Sequence, residues 1–191
     1  CGGYITDLDQ DGLKEILFGY VNGKNHICVY ENVGNNQYSL VWEDSAFALG
    51  YTVVGDFDND SQVEFFTGLG GSGGGGLVVG WECVGNNNYQ LIFQDTLPRS
   101  NNFDVFSGHD MDGNGKPEFL FTSVDYFRGK AWLYLYETIQ DNNYNFFLID
   151  SITGLPSNIG IQLSTCGDID ADGREEIIWS TFKQWHIYKA I

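Results

Sequence analysis

Short apolar runs alternate with polar turns along this chain, and they recur in a fixed order. The stretches Ile16 to Phe18, Phe65 and Phe66, Phe119 to Phe121, and Ile177 to Trp179 each follow an acidic segment. Further on, a second run ends in an aromatic residue: Cys28 to Tyr30, Val79 to Trp81, Leu135 and Tyr136, and His186 to Tyr188. In the first three units a turn then carries two Asn and a Tyr: Asn35, Asn36 and Tyr38; Asn86, Asn87 and Tyr89; Asn142, Asn143 and Tyr144. A last apolar run closes each of these at Ser39 to Trp42, Gln90 to Phe93, and Phe146 to Ile149. Runs rich in Val, Ile, Tyr, Phe and Trp, split by Gly and Asn turns, predict strands. No stretch sustains a 3.6-residue apolar period, so the chain reads as all-β.

The acidic segments superpose as DLDQDGLKE from Asp7, DFDNDSQVE from Asp56, DMDGNGKPE from Asp110 and DIDADGREE from Asp168, starting 49, 54 and 58 residues apart. Each full unit therefore reads as four strands, A to D, with the acidic loop between A and B. Four antiparallel strands at this period are the signature of β-propeller blades, whose radial stacking covers both faces of each sheet. The predicted organisation is one partial propeller with blades 1–45, 46–99, 100–154 and 155–191. The fourth unit reaches Ile191 without a strand D. A fragment of a larger propeller is expected, with another chain or a missing segment completing the last blade.

The spacing of the acids points to a hard divalent cation. Ca²⁺ takes six to eight oxygen ligands, and alternate positions of a tight loop can turn inward to supply them. Positions 1, 3, 5 and 9 would give side-chain oxygens and position 7 a backbone carbonyl. The candidate ligands are thus Asp7, Asp9, Asp11, Leu13 and Glu15; Asp56, Asp58, Asp60, Gln62 and Glu64; Asp110, Asp112, Asn114, Lys116 and Glu118; and Asp168, Asp170, Asp172, Arg174 and Glu176. Leu13, Gln62, Lys116 and Arg174 enter only through their carbonyls. Position 2 is apolar every time (Leu8, Phe57, Met111, Ile169), as expected of a residue turned to the core. Gly at position 6 allows a positive φ. The second loop has Ser61 there, and the third has Asn114 at position 5, so these two sites are expected to be weaker than the first and fourth.

These residues resemble the FG-GAP or VCBS-type repeats of integrin α-subunit propellers and of many bacterial secreted proteins. The resemblance spans essentially the whole chain. It implies calcium in the A–B loop of each blade, a structural role for the metal, and an extracellular, secreted or cell-surface location. The closing acid is Glu where integrin loops usually have Asp, which points toward the bacterial members.

Charge changes the picture in one respect. The net charge is −17, and 15 of the 26 acids occupy proposed ligand positions, so four Ca²⁺ would bring the net charge to −9. Such a surface repels nucleic acid. No apolar run is long enough to span a membrane. Cys1, Cys28, Cys83 and Cys166 allow three pairings without a CxxC spacing, and buried free thiols are the preferred reading. The glycine run from Gly70 to Gly76 lacks the lysine of a phosphate-binding loop and reads as a hairpin loop. His26, His109 and His186 show no ligand spacing and no catalytic partner, and Glu43, Asp44, Asp95 and Asp150 show no evident partner. The expected function is a non-enzymatic calcium-binding propeller that engages a protein partner or scaffolds a surface. The alternatives are a glycan-binding propeller and the non-catalytic part of a polysaccharide-degrading enzyme.

Overall fold

The computed structural model describes residues 3–21, 25–45, 52–69, 75–98, 105–107, 110–125, 127–155, 161–181 and 185–189. His109, Cys1 and the glycines at 70–74 lie outside them. All regular structure among these residues is β-strand. Sheet one holds β1 (Gly3–Thr6), β2 (Glu15–Val21), β3 (Asn25–Gly34) and β4 (Gln37–Asp44). Sheet two holds β5 (Thr52–Gly55), β6 (Glu64–Leu69), β7 (Gly75–Gly85) and β8 (Asn88–Pro98). Sheet three holds β9 (Val105–Ser107), β10 (Glu118–Asp125), β11 (Lys130–Gln140) and β12 (Asn143–Thr153). Sheet four has three strands, β13 (Ile161–Gly167), β14 (Glu176–Thr181) and β15 (Trp185–Lys189). Every sheet is an antiparallel meander in chain order.

Among the described residues no hydrogen-bonded ladder joins one sheet to the next. They are held instead by apolar faces, because a strand sends successive side chains to opposite sides. In β10, Phe119 and Phe121 pack toward sheet two, and Leu120 packs toward sheet four. Leu8, Leu17, Ile27 and Val29 of sheet one meet Phe65, Val79, Trp81 and Tyr89 of sheet two. Val53, Phe57, Phe66 and Leu97 meet Phe119, Tyr136 and Tyr144. Met111, Leu120, Leu133 and Ile152 meet Ile177 and Trp179. Aromatic contacts carry much of this, with Phe66 stacked 4.3 Å from Phe119 and Trp42 edge-on to Trp81 at 6.0 Å. Such pairs contribute about 0.5–1.5 kcal/mol each beyond their burial. Gly80 makes room for the Phe66 ring, which a Cβ there would meet at 2.4 Å. The first strands of the sheets run side by side, with β5 against β1 and β9, and β9 against β13.

One alignment differs from the sequence reading. The positive-φ turn residues are Asn36, Asn87 and Asn142, at 53°, 54° and 55°. The counterpart of Asn86 in the third turn is therefore Asp141, not Asn142, and that turn lies one residue earlier than the sequence pattern puts it. Several polar groups read as unpaired also have partners. Tyr136 donates to Asp95 Oδ2 at 3.1 Å, and Tyr188 donates to Asp150, so each of these contacts crosses from one sheet to the next. His186 Nδ1 lies 3.1 Å from the Tyr188 hydroxyl. His26 pairs with Glu43 and stacks on Tyr20. Adjacency across strands and sheets made these pairs, and their sequence separation hid them. Cys28, Cys83 and Cys166 form no disulfide among the described residues, and the first two are buried.

Candidate metal centres

The four acidic loops join the first two strands of each sheet and share one backbone design. Position 6 has positive φ in each (Gly12, Ser61, Gly115 and Gly173, at 93°, 74°, 89° and 90°). Position 4 has it too, at Gln10, Asn59, Gly113 and Ala171, which the sequence did not signal. The left-handed conformation is strained for Ser61 and Ala171, since a Cβ crowds the backbone there. Side-chain oxygens hold this shape as Asx-type turns. The position-1 carboxylates accept from the position-6 N–H: Asp7 from Gly12 at 3.1 Å, Asp56 from Ser61 at 3.0 Å, Asp110 from Gly115 at 2.7 Å, Asp168 from Gly173 at 2.9 Å. The position-5 oxygens of Asp11, Asp60, Asn114 and Asp172 accept from the N–H of Leu13, Gln62, Lys116 and Arg174 at 2.7–3.1 Å.

The closing Glu is the first residue of β2, β6, β10 or β14, and its side chain is buried. One oxygen, Oε2, accepts from the position-2 N–H at 2.5–2.8 Å in all four loops. The other, Oε1, is buried without a hydrogen-bond partner in Glu15, Glu64, Glu118 and Glu176. Asp7 Oδ1, Asp58 Oδ1 and Asp110 Oδ1 are orphaned in the same way. Buried acceptors are nearly always paired, and a recurrent set of orphaned carboxylate oxygens is one that could hold a cation. Carboxylate oxygens converge within 4.8 Å in the groups Asp56–Asp58–Asp60–Glu64, Asp7–Asp9–Glu15 and Asp110–Asp112–Glu118. Asp11 falls with Asp9 and Glu31 instead.

Electrostatics follow from that crowding. Burial first, and then the neighbouring aspartates, push Glu15 and Glu118 up to about 7 and Glu64 up to about 9. The backbone hydrogen bond to each opposes the shift without cancelling it.

Position 2 sits as expected in three loops and not in the fourth. Leu8, Phe57 and Met111 are 1–2% exposed, and Ile169 is 59% exposed. Each of the first three is covered by the following sheet, and no described residues cover the face of sheet four that carries Ile169.

The loops are also tied to neighbouring sheets, a feature the sequence alone did not suggest. The Asn87 N–H donates to Asp9 Oδ2 at 2.8 Å, and its amide donates to Glu31 Oε2 at 2.8 Å. Asn142 does the same one sheet along, to Asp58 Oδ2 at 2.8 Å and Glu82 Oε2 at 2.6 Å. The β7–β8 turn thus seats on the loop of sheet one, and the β11–β12 turn on the loop of sheet two. The loops touch one another as well, Gln10 donating to the Ser61 carbonyl at 2.9 Å and Asn59 to that of Gly115 at 2.8 Å. Between sheets three and four the corresponding place is a cleft of about 310 Å³ bordered by Asp112, Glu118, Glu137 and Lys189.

The fourth loop has a different neighbour. Lys189 Nζ lies 2.6 Å from Asp170 Oδ2, 2.6 Å from Asp172 Oδ2 and 3.6 Å from Glu176 Oε1. Its hydrogen bond holds the Asp172 carboxyl below the usual range. In the third loop the cation is turned aside: Lys116 donates to the Thr138 carbonyl at 3.0 Å and lies 3.6 Å from Glu137.

No protein-family model matches the chain, and no curated protein is significantly similar to it. No helix among the described residues is long and apolar enough to cross a membrane.

Proposed function

We propose that the chain is a calcium-binding β-propeller module in which the ions rigidify the loops that seat adjacent blades against one another. The observation that carries this is the orphaned Oε1 of the closing glutamates, buried beside aspartates of the same loop. The donor set suits Ca²⁺: oxygen only, several carboxylates, and a loop with room for a high ligand number. When bound, the ion supplies positive charge that offsets the mutual repulsion of these acids. The chain's own part is to hold Asp7, Asp56 and Asp110 by their position-6 N–H groups and the closing Glu by the position-2 N–H. The four meander sheets, packed face to face with their first strands adjacent, support the blade reading.

Calcium sites of modest affinity fill where calcium is abundant, at dissociation constants of about 10⁻⁴ to 10⁻³ M in extracellular modules. That chemistry supports an extracellular or cell-surface role in protein interaction or scaffolding. Glycan binding is the second reading, favoured by exposed aromatics such as Trp185 and Tyr38. Melting chelator-treated protein with and without Ca²⁺ tests the metal role: the midpoint rises with calcium, and an unchanged midpoint counts against it. Glu64→Gln keeps the shape and the position-2 hydrogen bond, and it should weaken the response. A glycan array run beside protein-binding assays separates the partner classes, and no polysaccharide is expected to be turned over.

A further inference from the structure

We propose that Lys189 is the resident cation of the fourth acidic loop, so that the first three loops take calcium and the fourth takes none. This rests on the calcium reading above for the first three loops and on geometry for the fourth.

The strand register sets the contrast. Glu15 pairs with Glu31, Glu64 with Glu82 and Glu118 with Glu137, while Glu176 pairs with Lys189. The residue beside the closing glutamate is thus an acid in three sheets and a lysine in the fourth. Glu31 and Glu82 add negative charge beside their loops and receive the neighbouring sheet's Asn amide. Lys189 reverses the sign at the same place. Its ammonium is a compact charge with three donors on a flexible stem, able to contact several carboxylates at once. Here it reaches two aspartates at 2.6 Å and lies 3.6 Å from the closing-glutamate oxygen that has no hydrogen-bond partner in any of the four loops.

Loop four otherwise keeps the full acid set of loop one, with Asp168, Asp170, Asp172, Gly173 and Glu176 in place. Loop composition alone would therefore rank it among the best sites. The lysine, 13 residues beyond Glu176 along the chain, decides against it. A divalent ion entering this loop must displace an ammonium hydrogen-bonded to two of its ligands and then sit beside that positive charge. Lys116, the corresponding hazard in loop three, is drawn off to the Thr138 carbonyl.

The test is a calcium titration by calorimetry on the full chain, with melting of the metal-free protein as a second readout. The wild type is expected to bind three equivalents. Lys189→Met, which keeps much of the stem and removes the charge, is expected to bind four and to melt lower than wild type when metal-free, with calcium restoring the loss. Asp168→Asn should leave the wild-type stoichiometry at three and return the Lys189→Met protein from four to three. Four equivalents in the wild type, or a wild-type count lowered by Asp168→Asn, would overturn the assignment. If the wild type binds no calcium, the calcium reading fails by itself. The metal-free melts then decide Lys189: a lower midpoint for Lys189→Met supports the resident cation, and an unchanged one overturns it.

Discussion

The turns at Asn36 and Asn87 have nearly the same sequence and the same backbone, yet they live in different surroundings. Tyr38, two residues after the first, is 51% exposed, whereas Tyr89, two residues after the second, is 7% exposed, and Tyr144 in the third turn is 5% exposed. Local sequence specifies the hairpin and its positive-φ Asn. Burial comes from a preceding sheet's acidic loop on which the turn can seat, and sheet one has none before it among the described residues. Among the described residues the same turn is thus an exposed hairpin in one place and an inter-sheet clamp in two others.

The largest expected difference is in the tyrosines. Tyr89→Ala and Tyr144→Ala each remove a ring packed against aromatic neighbours of two sheets, and each should cost about 3–5 kcal/mol. Tyr38→Ala should stay within about 0.5 kcal/mol, as exposed substitutions do. Urea melts of the three variants measure this, and equal losses at 38 and 89 would break the comparison.

Next come the asparagines. Asn87→Gly and Asn142→Gly keep the left-handed backbone and delete the amide that pairs with buried Glu31 or Glu82. Each should cost about 1–3 kcal/mol, the penalty for leaving a buried polar group unpaired. Asn36→Gly should change stability by only a few tenths.

A slope with pH is expected as well, carried by the buried closing glutamates. Glu15, Glu64 and Glu118 hold a proton more tightly folded than unfolded, so folding takes up protons above the ordinary value of 4.5. Stability from this source is complete below that value and declines as pH rises through about 7 for Glu15 and Glu118 and about 9 for Glu64. Metal-free protein should therefore melt progressively lower from pH 5 to pH 8. With calcium the trend should weaken or reverse, because ion binding requires deprotonated carboxylates. A metal-free midpoint that rises over this range would contradict the sign.

Much of this was legible before any fold was known. The acid spacing located the four loops, and the apolar runs located strands, although β8 and β12 extend well beyond Gln90 to Phe93 and Phe146 to Ile149. Strand ends escaped because Thr96 or Ser151 carries no apolar signal while the pairing with β7 or β11 continues. The position-4 residues escaped because Gln10, Asn59, Gly113 and Ala171 share a backbone conformation and no side chain. Lys189 could have been noticed: Tyr30, Trp81, Tyr136 and Tyr188 are followed by Glu31, Glu82, Glu137 and then lysine. Its meaning needed the register that sets it beside Glu176. The seating of Asn87 on Asp9, 78 residues apart, could come only from the packing of sheets.

Anomalous scattering from crystals grown with Tb³⁺, a luminescent oxygen-seeking substitute for calcium, tests the central claim most directly. The account predicts peaks beside the orphaned Oε1 of Glu15, Glu64 and Glu118, and none at Glu176, where Lys189 remains among the aspartates. No peak at the first three loops at metal concentrations well above those of extracellular fluid, or a peak at Glu176, would contradict it.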